Sequence, residues 1–206
     1  MNQSPLTYLI TSGSTKSNNF TPLLRLTEAA VQAGISFIQI REKQLSAALL
    51  YKLTRAIMGI AKQSKTKVLL NDRLDVALAA GADGVHLPAD SFAPGIVRQQ
   101  AGPTFLIGVS THSVSEVVAA LAQGADLAVF GPVFSTPDKR QFGEPVGLPI
   151  LAEAAQAARP MPLLALGGVD LINYRPCLNA GAAGIAGIRM FSEPDKLSDI
   201  VNAINR

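Results

Sequence analysis

The chain is poor in cysteine, in charge and in long apolar runs, and each shortage excludes something. A single cysteine, Cys177, excludes an internal disulfide framework and is compatible with the cytosol. It falls inside a helical pattern with no adjacent base, which marks it as buried and inert. No apolar run reaches the roughly 18 residues that cross a bilayer. The N-terminus lacks the basic, apolar and small-residue order of a secretory leader, so a cytoplasmic protein with no membrane partner is expected. Lys and Arg number 18 against 15 Asp and Glu, a net charge of +3. They are nowhere run together, which removes the case for nucleic acid and leaves a small anionic ligand as the simpler reading. There is no zinc-type ligand cluster, no nucleophile elbow, no linker and no low-complexity segment.

What remains is apolar: 48% of the 206 residues are hydrophobic and 16% charged. That suits strands covered on both faces, as in α/β proteins, and a length fitting one core rather than two. Short apolar runs predict strands at Leu6 to Thr11, Phe37 to Ile40, Lys67 to Asn71, Gly84 to Leu87, Phe105 to Val109, Leu127 to Phe130, Leu163 to Leu166 and Gly184 to Ile188. Between them, apolar residues recur at helical spacing, for example over Ser46 to Lys62, Val114 to Gln123 and Leu148 to Ala158, with a closing helix over Asp195 to Ile204. Strict alternation of strand and helix means parallel strands with helical crossovers. Eight such units in one domain, residues 1–206, predict a single (β/α)8 TIM barrel. A doubly wound open sheet is the alternative, but no Gly-x-Gly-x-x-Gly follows the first strand. A repeat supports the barrel: Ala33-Gly34-Ile35-Ser36, Ala80-Gly81-Ala82-Asp83, Gln123-Gly124-Ala125-Asp126 and Ala180-Gly181-Ala182-Ala183 each close a helix on glycine and lead into an even-numbered strand.

In such a barrel the chemistry belongs to loops after the strands' C-terminal ends. Polar residues gather there repeatedly. The second strand runs into Gln39, Arg41 and Lys43, which an extended chain would present on one side. Asn71-Asp72 ends the third; both are also good N-caps for a helix starting at Arg73. The fourth is followed by Asp90-Ser91, the fifth by Ser110 to Ser113, and the sixth by Ser135 to Arg140. Gly167-Gly168 ends the seventh and Arg189 the eighth. Arg41, Lys43 and Lys139 can neutralise a multiply charged group, with Asp72 holding Mg2+ against its oxygens. Gly167-Gly168 and Arg189 can take a second phosphate. His86, inside a strand, reads as a packed, hydrogen-bonded histidine, while His112 is better placed for function. Ser113 with Glu116 has capping-box spacing and reads as structural.

The motifs Gln39-Ile-Arg41-Glu-Lys43, Asn71-Asp72-Arg73, Gly84-Val85-His86-Leu87, Gly108-Val109-Ser110-Thr111-His112, Gly131-Pro132-Val133-Phe134-Ser135-Thr136 with Lys139, and Gly167-Gly168-Val169 together resemble the thiamine phosphate synthase family, which includes the related thiazole tautomerases. The resemblance runs from Leu9 to about Phe191. It implies that hydroxymethylpyrimidine diphosphate loses pyrophosphate with Mg2+ assistance and is captured by a thiazole phosphate. Small phosphorylated substrates are the partners expected, and a homodimer is compatible with it. By position, it implies that Gln39, Arg41, Lys43, Asn71 and Lys139 hold the diphosphate and Asp72 the metal. It also implies Ser110 on the pyrimidine, and Thr136, Gly168 and Ile188 at the thiazole phosphate. Three positions depart from the synthase pattern. Ser91 stands where a second metal-binding Asp is usual, leaving adjacent Asp90 as a candidate. Asp138 replaces a hydroxyl residue, and Arg189 replaces a serine. Ser91-Phe92 and Ser110 to Ser113 look more like the tautomerase branch, where the residue matching His112 shuttles a proton without a metal. A phosphate-binding homologue without catalysis is the third expectation.

Overall fold

The computed structural model of the protein describes residues 4–15, 17–135 and 144–206. Its strands are β1 (Leu6–Ile10), β2 (Phe37–Ile40), β3 (Lys67–Asn71), β4 (Gly84–Leu87), β5 (Leu106–Thr111), β6 (Leu127–Phe130), β7 (Leu163–Ala165) and β8 (Gly184–Gly187). Each pairs in parallel with the next, and β8 returns to β1 to close the barrel. The helices are α1 (Thr21–Ala33), α2 (Ala47–Ala61), α3 (Leu74–Ala80), α4 (Pro94–Ala101), α5 (Val114–Ala122), α6 (Gly147–Ala157), α7 (Tyr174–Asn179) and α8 (Leu197–Ile204). This is the (β/α)8 barrel expected from the alternation.

The barrel divides the core in two. Outward-facing strand residues such as Leu9, Ile38, Leu70, Val85 and Ile107 pack against the helices. Tyr8, Ile10, Leu69, Leu127, Val129, Leu164 and Ala186 fill the interior. Each large apolar side chain buried in this way stabilises the fold by about 1.5–3 kcal/mol relative to exposure. The four glycines of the repeat, Gly34, Gly81, Gly124 and Gly181, all take positive φ and end their helices as expected.

In three of the four repeats the residue two places after the glycine has a further task at the floor of the barrel. Ser36 Oγ accepts the Thr7 N–H, Asp83 Oδ2 that of Val68, and Asp126 Oδ2 that of Ile107. A side chain from one turn thus holds the start of a neighbouring strand, an arrangement that stabilises the end opposite the functional face.

Most boundaries fall within one residue of the sequence expectation, and two differ by two residues. β5 continues through Ser110 and Thr111, because they pair with Val129 and Phe130 of β6. The closing helix begins at Leu197, after a 3-10 turn at Pro194–Lys196, and a second 3-10 turn over Arg189–Phe191 follows β8.

Candidate active site

The stretch after β2 does not keep its alternation. The strand ends at Ile40; Arg41 is half-buried, Glu42 buried and Lys43 exposed. Beyond the strand the Arg41 N–H meets a side chain instead of a neighbouring backbone, donating to Thr11 Oγ1 at 2.8 Å. The Arg41 guanidinium lies beside Gly13 of the β1–α1 loop. Glu42, read in the sequence as part of a charge run, is only 3% exposed. Its carboxylate accepts the N–H of Gly13 at 3.2 Å and of Thr15 at 2.9 Å, so it holds the β1–α1 loop against the rim. No pattern in the sequence marks this role, because Glu between two cations looks solvated.

Lys43, Asn71 and Asp72 line one cavity of about 240 Å³ on the β2–β3 side of the rim. Helix α3 starts at Leu74 with Arg73 in the cap position, so neither Asn71 nor Asp72 is its N-cap. Asp72 has φ of 60°, the one positive value at a non-glycine among the described residues. Its N–H donates to His86 O at 2.9 Å, and its carboxylate Oδ1 accepts from the Ser91 hydroxyl at 2.5 Å. The left-handed region is tolerated by Asp better than by most residues and here re-aims the side chain toward the β4–α4 loop. The group that meets Asp72 is therefore Ser91, while Asp90 beside it is solvent-exposed.

On the other side of the rim, Gly167, Gly168, Ile188 and Arg189 line a cavity of about 500 Å³, together with Ser135. The carbonyls of both glycines are engaged with protein. Gly167 O accepts from Phe134 N at 2.9 Å, and Gly168 O accepts from Asn173 Nδ2 at 2.8 Å. Between the two cavities, where β8, β1 and β2 meet, lies a third of about 820 Å³ that touches both Glu42 and Ile188. Thr136 and Lys139 lie outside the described residues.

Inside the barrel mouth a polar chain crosses four strands. Gln39, 2% exposed, donates through Nε2 to Tyr8 Oη at 3.3 Å. Tyr8 Oη lies 3.2 Å from His86 Nδ1, and His86 Nε2 lies 2.9 Å from Ser110 Oγ. Gln39 thus points into the barrel and not along an edge with Lys43. His86 is the packed, hydrogen-bonded histidine the sequence suggested. Tyr8, inside an apolar run, carries no sequence signal of its own. Burial pushes the Tyr8 phenol above its usual range and lowers His86 to about 3, so its ring is neutral.

This last shift has a stability consequence with a definite sign. The unfolded chain binds a proton at His86 below about pH 6.5, while the folded protein does so only near 3. Stability from this residue is complete above the unfolded value and is lost as pH falls through the window between the two. Urea midpoints measured against pH should decline across that window in the wild type, and His86→Gln should flatten the decline. A slope that His86→Gln leaves unchanged would assign the acid sensitivity elsewhere.

His112 stands apart from this chain. It is exposed, its N–H donates to Glu116 Oε2 at 2.7 Å and its Nδ1 lies 3.4 Å from the same oxygen. Ser113 caps α5 by accepting the Glu116 N–H, as its spacing implied. Cys177 is fully buried, and burial pushes its thiol up to about 11, consistent with an inert side chain.

A family model for thiamine monophosphate synthase matches residues 7–191. The thiamine-phosphate synthase of Chlorobium luteolum is 36% identical over 201 residues, covering 98% of this chain and 92% of that protein. That of Methanoculleus marisnigri is 41% identical over 173 residues, covering 84% and 80% respectively. Among solved structures, the thiamine phosphate pyrophosphorylase from Pyrococcus furiosus superposes with a TM-score of 0.80 at 27% identity, covering 97% of this chain and 96% of that one.

Proposed function

The chain belongs to the thiamine monophosphate synthase family, and on that premise we propose that it joins hydroxymethylpyrimidine diphosphate to thiazole phosphate, releasing pyrophosphate and forming thiamine phosphate. The observation that carries this reading is the pair of cavities on one rim. One is edged by Lys43, Asn71 and Asp72, the other by Gly167, Gly168 and Arg189. Two anionic substrates need two such subsites facing a common centre.

In this reading the bond from the pyrimidine's methylene carbon to the diphosphate oxygen breaks, and its electron pair leaves with pyrophosphate. The thiazole nitrogen then donates its lone pair to that carbon. Charge therefore grows on the leaving oxygens, where Arg41 and Lys43, with Lys139 of the undescribed segment, are assigned to stabilise it; Asn71 orients the same group. The Arg41 guanidinium lies beside the β1–α1 loop, which Glu42 holds in place. The thiazole phosphate is assigned to the peptide N–H groups of Gly167-Gly168 and to Ile188 and Arg189, whose guanidinium replaces a hydroxyl usual in this family.

The residues around Asp72 fit Mg2+. Both donors there, the Asp72 carboxylate and the Ser91 hydroxyl, are oxygens, the kind that suits a hard cation. Among the described residues no group of three or more His, Cys, Asp or Glu side chains is placed to hold a metal alone. That matches an ion completed by phosphate oxygens and water rather than by a protein cage. When bound, it would neutralise the departing diphosphate.

Supplying both substrates with saturating Mg2+ tests the reading, and thiamine phosphate is the expected product. Its absence would sink the synthase assignment. Turnover of the non-aromatic thiazole tautomer, abolished by His112→Ala, would replace it with the tautomerase reading.

A further inference from the structure

The chain from Gln39 to Ser110 has a direction. A Gln Nε2 can only donate, so Tyr8 Oη is the acceptor of that bond. Tyr8 has a single proton, and the atom within reach is His86 Nδ1 at 3.2 Å. With Nδ1 accepting, a neutral imidazole carries its proton on Nε2, which faces Ser110 Oγ at 2.9 Å. Ser110 then accepts from below and keeps its own proton. Its hydroxyl is the half-buried end of the chain, at the barrel mouth.

We propose that Gln39, Tyr8 and His86 form a one-way hydrogen-bond chain that locks the Nε2–H tautomer of His86 and so presents the Ser110 hydroxyl as a donor to substrate. His86 is a positioning residue: it acts through Ser110. The surroundings are built for it. Gly108 on β5 faces the ring, and a β-carbon there would stand 2.7 Å from His86 Nδ1. Tyr8 packs edge-on against the imidazole, with ring centroids 5.7 Å apart. Buried polar groups need partners, and a single direction of donation pairs Tyr8 Oη and both ring nitrogens of His86 in turn. A donor hydroxyl selects a ligand presenting a lone pair. That this ligand is the ring nitrogen of the pyrimidine rests on the synthase reading above.

Nitrogen-15 NMR of the histidine side chains in the intact protein, with His112→Ala used for assignment, reads the tautomer without reference to activity. At neutral pH, His86 should show a protonated Nε2 and a bare Nδ1, and Tyr8→Phe should turn this into a mixture of tautomers. Kinetics then tests the consequence. Gln at position 86 offers an N–H near the place of Nε2, while Asn keeps an acceptor for Tyr8 and offers Ser110 nothing. His86→Asn should lower kcat about tenfold, the loss typical of removing a group that orients a functional one, and His86→Gln should recover most of that loss. A wild-type ring protonated on Nδ1 overturns the proposal. So do equal kcat losses in the Gln and Asn variants when both melt like the wild type. If the variants fail to fold, the wild-type spectrum still decides. If no thiamine phosphate forms, the synthase reading falls while the tautomer result stands.

Discussion

Replacing Asp72 with alanine should lower kcat by about 10²- to 10³-fold, the scale of losing one electrostatic stabiliser of a developing anion, with the barrel intact. The side chain is exposed, so truncation removes little packing. The backbone N–H that pins the residue to His86 O stays in place. Alanine is disfavoured at φ of 60°, which costs stability by about 1–2 kcal/mol. Asp72→Asn separates the two effects. Asparagine tolerates the left-handed conformation and can still accept from Ser91, but it has no charge. Thermal unfolding of Asp72→Asn should match the wild type while its kcat falls with that of Asp72→Ala. Both variants should need more Mg2+ for half-maximal rate, and chelating Mg2+ should bring the wild type down to their level. A wild-type Mg2+ dependence in Asp72→Asn would remove Asp72 from the metal site.

Gly168→Ala should raise KM for thiazole phosphate about 100-fold and leave KM for the pyrimidine diphosphate close to the wild-type value. Two constraints act together at this position. Its φ of +67° is strained for any residue with a β-carbon, and that carbon would stand 2.7 Å from Phe134 Cβ and 2.9 Å from the Phe134 carbonyl. Phe134 cannot swing aside, since its own N–H is tied to Gly167 O. The β7–α7 loop must therefore move, and with it the N–H groups assigned to the phosphate. Stability should fall by about 1–3 kcal/mol from overpacking. Asn173→Ala offers a milder version, because it removes the bond to Gly168 O without adding an atom. Its KM change should have the same direction and a smaller size. If Gly168→Ala raised KM equally for both substrates, this loop would not belong to the thiazole phosphate.

The same residues show how far the sequence could be read. The barrel was legible because its determinants are local: short apolar strands, helical periodicity and a glycine ending each repeat helix in the left-handed conformation. The rim was legible because polar residues follow nearly every strand. β5 overran its expected end because Ser110 and Thr111 have a ladder partner in β6, which no local pattern declares. Gln39 was expected beside Lys43, yet the strand stops at Ile40, so spacing by two no longer decides which side a residue faces.

Glu42 and Tyr8 mark the boundary most clearly. Glu42 is an ordinary charge in the sequence; it becomes a buried brace because two N–H groups from the β1–α1 loop reach it. Tyr8 is one apolar residue among several; it becomes a relay because closure of the barrel brings β1 and β4 within hydrogen-bond distance across 78 positions. Strand–helix alternation and the motifs along the chain were enough for the parallel barrel and for the family. Barrel closure is what brings particular polar residues together: Gln39 with Tyr8, Tyr8 with His86, His86 with Ser110, and Ser91 with Asp72. Periodicity and turn chemistry act over a few residues, whereas hydrogen bonds across a barrel depend on closure, and closure is a property of all eight strands at once.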